Sequence, residues 1–262
     1  RISRFSTLLE VFRAQALAEA KAAVGGVRPD LQLAEVELLP PLSAPEKILC
    51  VGINYANRGR DYNVSDSPKY PSMFYRAPNS LVGSGQKLVR PKISEQLDYE
   101  GELALIIGRE CKHMPKERAL ETIGGVTLCN EGTIRDWTRH GQFNVTQGKN
   151  FDSTGSIGPW IETDIDLTKP LHLVVRKNGE VTQDDTTASM IFSFADIIAY
   201  TTSFMTLKAG DVICTGTPVK KNPPPSPHAG ETRERVWLKP GDTIEVECPA
   251  IGVLRNSVAD EA

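Results

Sequence analysis

Asp98, Glu100 and Glu102 alternate through the stretch LDYEGELALIIG, residues 97–108, and alternation is the side-chain period of a β-strand. In a strand these three carboxylates share one face, which Ala104 and Ile106 continue, while Tyr99, Gly101, Leu103, Leu105 and Ile107 take the other. Both faces turn apolar directly after Glu102, the pattern of a strand buried on both sides. Acids at the mouth of such a strand repel one another and lose solvation, so they need a compensating cation. Glu131 ends a second apolar stretch, GGVTLCNE. If it lies beside Glu100 and Glu102, three carboxylates make an oxygen-rich cavity for a hard divalent cation such as Mg²⁺ or Mn²⁺. Three protein ligands leave room on that cation for water or a bidentate substrate, which Lewis-acid catalysis requires. Arg135 and Lys149 would then offer positive charge to a substrate anion or to a developing enolate.

The same residues also admit plainer roles. An E-x-E pair is most often a solvated strand face, Glu131 a turn residue, Arg135–Asp136 a local ion pair and Lys149 a surface lysine. Of the four histidines only His140 is near the acids in sequence. His113 sits in a polar turn, His172 alternates within a strand as a packing residue, and His228 lies in a Pro-rich segment. Met73, Phe74 and Tyr75 read as core. No G-x-G-x-x-G, P-loop or nucleophile-elbow pattern is present, so a nucleotide cofactor has no support.

The elements that must position these groups are mostly short strands divided by Gly and Pro. They read as KILCVGI, SLVGSGQKLVRP, GELALIIG, GGVTLCN, LHLVVRKNGEVTQ, DVICTGTP and DTIEVECPAIGVL. Helices are expected over 5–24, with Ser6 as cap and GGVRP as stop, and over KERALETI and FADIIAYTTSFM. Val36–Leu39 reads as a short strand before a Pro-rich connector. Two look-alike turns, Lys208–Asp211 and Lys239–Asp242, each lead into a strand. Residues 220–235 have no apolar period and read as a loop. The expected fold class is α+β and β-rich. A boundary near Pro45 divides a small, truncated N-terminal domain, 1–45, from a catalytic domain, 46–262. The chain opens on Arg1 rather than Met, which implies that its natural start lies upstream.

The chain of 262 residues carries 24% charged and 40% hydrophobic residues with a formal net charge of −3. That charge gives no electrostatic reason to expect nucleic acid or an anionic membrane as partner. No apolar run reaches a membrane span and no signal-peptide pattern opens the chain. Cys50, Cys111, Cys129, Cys214 and Cys248 lack C-x-x-C spacing, and most sit inside apolar segments, as reduced thiols of a cytoplasmic protein would.

Taken in order, GINYANRGRDY, SLVGSGQ, LDYEGELALIIG, VTLCNEGTIRDW, QGKNFDSTGSIGPWI, GDVICTGTP and LKPGDTIEVECPAIGVLRNSV resemble the fumarylacetoacetate hydrolase superfamily, over about Lys47 to Asn256. The resemblance implies a mixed β-roll, often homodimeric, that binds Mg²⁺, Mn²⁺ or Ca²⁺ and acts on 2-oxo acids. It places the metal ligands at Glu100, Glu102 and Glu131, the last usually Asp in the family. It gives catalytic roles to Arg135 and Lys149 and substrate contacts to Tyr55, Thr138, Thr215, Gly216 and Thr217. Thr138 stands where the family often has Gln. A larger departure concerns the water-activating pair of the hydrolytic members, N-Y-x-x-H-x-x-E. Here Arg58 replaces the His and Asp61 the Glu, and an arginine is no general base. His140 or Asp61 would have to serve instead. The resemblance makes C–C hydrolysis of an acylpyruvate-type substrate through a metal-bound enolate, in aromatic or sugar-acid catabolism, the first expectation. Isomerisation, tautomerisation or decarboxylation of a 2-oxo (di)acid is the alternative that the lost pair favours, and a non-catalytic metal-binding β-roll is the third.

Overall fold

A computed structural model describes residues 4–56, 68–138, 140–141, 145–221 and 237–262. Fourteen strands are assigned among them: β1 (Ile48–Gly52), β2 (Ser72–Tyr75), β3 (Leu81–Val82), β4 (Lys87–Arg90), β5 (Leu97–Asp98), β6 (Gly101–Ile107), β7 (Ile123–Asn130), β8 (Thr133–Ile134), β9 (Gly155–Glu162), β10 (His172–Lys177), β11 (Glu180–Thr186), β12 (Val212–Cys214), β13 (Thr243–Cys248) and β14 (Gly252–Asp260). The helices are α1 (Leu8–Arg13), α2 (Leu17–Val24), α3 (Thr146–Lys149) and α4 (Phe194–Phe204). A seven-stranded sheet runs β2-β1-β12-β6-β7-β9-β3, a five-stranded sheet runs β11-β10-β13-β14-β4, and β5 pairs with β8 alone. Parallel pairs β1·β12, β3·β9 and β4·β14 interrupt an otherwise antiparallel arrangement, so the fold is the mixed, β-rich roll expected. No helix among the described residues is long and apolar enough to cross a membrane.

β6 explains why its sequence is apolar on both faces, since all seven of its residues are buried. Leu103, Leu105 and Ile107 pack between the two sheets with Leu173, Val175, Val246 and Leu254, and with Ile197 and Ile198 of α4. Ala104 and Ile106 face the opposite way, into a second cluster closed by Leu9, Phe12 and Leu42 from the N-terminal segment. The two sheets approach closely at Gly101, where a Cβ would stand 2.2 Å from Val175 Cγ2. A side chain has no room there, which is why the motif reads Glu-Gly-Glu.

Several expectations change. The helix expected over 5–24 is broken into α1 and α2, with Gln15 at φ 54° between them, and Thr7 rather than Ser6 caps α1. Thr7 accepts from the Glu10 N–H, while Ser6 donates its backbone N–H to the Glu10 carboxylate. Val36–Leu39 forms no strand. The segment KERALETI forms a 3-10 helix, Lys116–Thr122, because Pro115 starts it and β7 follows at once. His172 does reach across strands, from β10 to Asp184 of β11, but its side chain is about half exposed rather than packed, and Tyr75 is exposed on the edge strand β2. The twin turns are present: in each, the Asp carboxylate accepts the Lys backbone N–H three residues earlier. All five cysteines are free and buried.

Candidate metal centre and active site

The strand expected over 97–107 is interrupted at Tyr99–Glu100, and that interruption builds the site. β5 pairs with β8 while β6 pairs with β7, so Asp98 and Glu100 leave the seven-stranded sheet and turn toward the loop after β7. Register sets Gly101 opposite Asn130, and the Glu131 N–H donates to Glu100 O at 2.8 Å. Asn130 Oδ1 accepts the Glu100 N–H at 3.0 Å. One carboxylate oxygen each of Glu100, Glu102 and Glu131 therefore lies within 4.8 Å of the others, and all three residues are buried. This fixed backbone ladder, not a loop, brings the three acids together.

Cations surround them. Arg135 spans two acids, with Nε 2.9 Å from Asp98 Oδ2 and Nη2 2.7 Å from Glu100 Oε1. Lys149, at the end of α3, places Nζ on Glu100 Oε2 and 3.1 Å from Glu131 Oε1. Its ammonium also lies 5.3 Å from the centroid of the Phe74 ring. Arg76, buried behind Glu131, donates to Gly132 O and Ser80 Oγ at 2.9 Å each and stands 3.6 Å from Glu131 Oε1. Lys220 pairs with Asp98 and covers the Tyr99 ring at 3.7 Å.

Of the residues expected to act, the structure brings together Glu100, Glu102, Glu131, Arg135 and Lys149. Gly216 joins them, because its N–H donates to Glu102 Oε2 at 2.8 Å, in a turn that needs its φ of 98°. Thr215 donates its hydroxyl to Leu103 O, and Thr217 accepts from Gln183 Nε2 at 2.8 Å. Thr138 donates to Arg135 O. The Tyr55 hydroxyl is buried and has no hydrogen-bond partner among the described residues. His140 stacks on Trp137 with ring centroids 4.0 Å apart and makes no hydrogen bond to the carboxylates. Arg58 and Asp61 lie outside the described residues.

Sequence reasoning missed Arg76, Lys220 and Gln183; it left Asp98 either behind the metal ligands or in solvent, and the structure buries it against Arg135 and Lys220. Gln183 reaches from β11 to accept the Gly101 N–H at 3.3 Å while holding Thr217 and Pro218, so one amide joins the acid-bearing strand to the Thr215–Pro218 turn. An arginine inside the apolar stretch MFYRAP was the one available signal for Arg76.

Burial pushes the Glu102 carboxyl well above its usual range, and the charges of Glu131 and Glu100 add to it. Burial acts on Asp98 as well, but Lys220 and Arg135 outweigh it and hold that carboxyl at about 2. Tyr55 is raised by burial and then by the charge of Glu102. These residues fit a hard divalent cation. The donors are all carboxylate oxygens, and Glu131 Oε1 sits at ion-pair distance from Lys149 and Arg76 yet accepts no well-aligned hydrogen bond from the described residues.

The profile of the fumarylacetoacetate (FAA) hydrolase C-terminal family matches residues 47–259. The chain belongs to this family. A human mitochondrial protein named oxaloacetate tautomerase FAHD2B is 36% identical over 246 residues, covering 92% of this chain and 76% of that protein. An uncharacterized protein of Methanocaldococcus jannaschii is 40% identical over 218 residues, 83% of this chain and 84% of that one. Among solved structures, 5-carboxymethyl-2-hydroxymuconate delta-isomerase from Mycobacterium smegmatis superposes with a TM-score of 0.76 at 32% identity, covering 90% and 87% of the two chains. The family member described here is thus an enzyme whose relatives include isomerases and tautomerases.

Proposed function

We propose that this enzyme moves a proton on a 2-oxo acid, as a tautomerase or isomerase, in preference to hydrolysing a C–C bond. The observation that carries the reading is Lys149: a buried ammonium held between Glu100 and Glu131, beside Arg135, where three carboxylates gather among the described residues. The names of the tautomerase and isomerase relatives support it.

Glu100, Glu102 and Glu131 would hold a divalent cation, whose Lewis acidity would draw electron density toward the C2 carbonyl of a 2-oxo acid. The chain supplies the rest. Removing a proton from C3 leaves negative charge on the carbonyl oxygen, and the Lys149 ammonium and Arg135 guanidinium offer hydrogen bonds to it. Lys149 can serve as the shuttle: its ammonium gives a proton to the carbonyl oxygen and the amine left behind takes one from C3, which yields the enol and restores the ammonium. Gly216 N–H fixes the Glu102 carboxylate, and Gln183 holds the Thr215–Pro218 turn against β6, so the acids do not reorganise as charge develops. None of His113, His140 and His172 bonds to Glu100, Glu102 or Glu131, and proton transfer at C3 has no need of a base that activates water.

The test follows C3–H exchange and enol decay of 2-oxo acids in D₂O by NMR, beside cleavage of acylpyruvates, with added Mg²⁺ or Mn²⁺. Exchange without cleavage is expected, with Lys149→Met slowing exchange by about 10²–10⁴-fold. Acylpyruvate cleavage faster than exchange, or full activity in Lys149→Met, would reject the reading.

A further inference from the structure

Asp98 is buried like Glu100, Glu102 and Glu131, yet among the described residues it lies outside their three-carboxylate set. Its two oxygens are engaged elsewhere. Oδ1 accepts the Tyr99 N–H at 2.9 Å and pairs with Lys220 Nζ, and Oδ2 accepts from Arg135 Nε at 2.9 Å.

The backbone puts Asp98 beside that arginine. β5 pairs with β8, with Asp98 opposite Thr133, and Arg135 follows β8 directly and donates its own N–H to Gln96 O at 3.0 Å. The guanidinium is gripped through Nε by Asp98 and through Nη2 by Glu100, at 2.7 Å. Bonds to two separate carboxylates fix the plane and direction of a guanidinium, whereas a bond to one leaves it able to swing. Of the two anchors Asp98 is the steadier. Glu100 also takes Lys149 and the Thr133 hydroxyl, and it belongs to the set that would hold a cation.

Lys220 in turn holds Asp98. Its ammonium lies on Oδ1 and 3.7 Å from the centroid of the Tyr99 ring. The chain at Lys220 is sewn to β11, because Lys221 donates its N–H to Thr182 O at 2.7 Å and sets Nζ 3.2 Å from Asp184 Oδ2. A line of contacts thus runs from β11 through Lys220 and Asp98 to Arg135.

We propose that Asp98 is a positioning residue that aims the Arg135 guanidinium at the oxyanion developing on the substrate, with Lys220 holding Asp98 in place and neither of them touching substrate or cation. The proposal rests on the role given to Arg135 above and adds the residues on which that role depends.

The test separates aim from charge and from stability. Asp98→Asn removes the charge and keeps the shape, Asp98→Glu keeps the charge and moves the oxygens, and Lys220→Met loosens Asp98. Urea unfolding confirms that each variant is folded under the assay conditions. C3–H exchange of pyruvate and oxaloacetate is followed in D₂O with added Mg²⁺. Asp98→Asn and Asp98→Glu should both lower kcat by about 10–10²-fold, and Lys220→Met should lower it less. Arg135→Ala should cost about 10²–10³-fold. Adding Asp98→Asn to it should cost no more than about twofold further, because the group through which Asp98 acts is already gone. Guanidinium chloride should rescue Arg135→Ala and leave Arg135→Ala/Asp98→Asn unrescued. In NMR of nitrogen-labelled protein without substrate, the Arg135 Nε–H, assigned by its loss in Arg135→Ala, should exchange slowly in the wild type and fast in Asp98→Asn. Wild-type turnover in folded Asp98→Glu, losses that add in the double variant, or an Arg135 signal unchanged in folded Asp98→Asn would each overturn the proposal alone. Arg135→Ala at wild-type speed would overturn it together with the part given to Arg135 in the proposed function. If the wild type exchanges neither acid, the proposed function fails, and the NMR comparison decides by itself whether Asp98 aims Arg135.

Discussion

Replacing Gly101 with alanine tests whether the contact between the sheets sets the spacing of the acids. The new Cβ would stand 2.2 Å from Val175 Cγ2 and 3.3 Å from both methyls of Val246. Carbon atoms rest at about 3.5–4.0 Å, so β6 and β10 must part locally by roughly 1.3–1.8 Å, or Val175 must leave its rotamer. Overpacking of this kind costs about 1–3 kcal/mol and occasionally more. Because Gly101 joins Glu100 to Glu102, the displacement carries both carboxylates, and a misplacement of about 1 Å can lower activity by about 10²-fold. Val175→Ala alone should cost about 1–3 kcal/mol through lost burial and a cavity. Together the two changes should cost less than their sum by about 1–2 kcal/mol, since the alanine at 175 makes the room that the alanine at 101 needs. Urea unfolding of the four proteins and Mn²⁺ titration by calorimetry measure both halves. If the two costs add within about 0.3–0.5 kcal/mol, or Gly101→Ala keeps wild-type metal affinity, the contact does not set the site.

Asp98 is held at about 2, below its ordinary 3.8, so it stabilises the fold above the unfolded value and loses that contribution as pH falls through the folded one. The pH-dependent part of the gap between wild type and Asp98→Asn should be about 2–3 kcal/mol near neutral pH and about half that by pH 3, read from urea midpoints. A gap that stays constant on acidification contradicts the assignment. The raised Glu102 carboxyl gives up its proton when a cation binds, so apparent Mn²⁺ affinity should climb by up to about tenfold per pH unit until that carboxyl is ionised. A flat profile would mean that Glu102 is not a ligand. Cys50 and Cys214 are fully buried, the first raised by burial and the second by its hydrogen bonds with Cys129 and Cys50, so Ellman's reagent should label them only on unfolding. Rapid labelling of the native protein at either position would show the second core cluster to be open.

The three acids were legible because a period of two placed Glu100 and Glu102 on one face and an apolar run announced a buried strand. Glu131 followed from the end of the next strand, whose antiparallel register puts Asn130 opposite Gly101. The break at Tyr99–Glu100 was not legible, since nothing local distinguishes a strand that continues from one that changes partners. Arg76 and Lys220 were hidden for a related reason. Each reaches its acid across a long stretch of chain, and hydrophobic period carries no information about contacts between residues so far apart. Gln183 sits in an exposed-looking polar run, QDDTT, and only the second sheet's approach to β6 buries it. The N-terminal helix failed at its middle because composition favours helix through Gln15, whereas the docking of Leu9 and Phe12 into the second core cluster requires the chain to turn there.

The parallel pairings have a consequence for how the chain comes into being. Ile48 pairs with Val212 and Leu88 with Val258, so β1 and β4 each wait for a partner made long after them in the chain. β12 also supplies the strand that flanks β6, and the turn behind it brings the Gly216 N–H to Glu102. Glu100, Glu102 and Glu131 thus leave the ribosome long before β12, the Gly216 N–H and Lys220 are available, although Arg76, Arg135 and Lys149 lie near them in the chain. Contacts this distant in sequence form slowly. Until they form, a nascent chain carries an acidic hairpin whose carboxylates remain hydrated, and the native charge cluster closes only as a late event of folding.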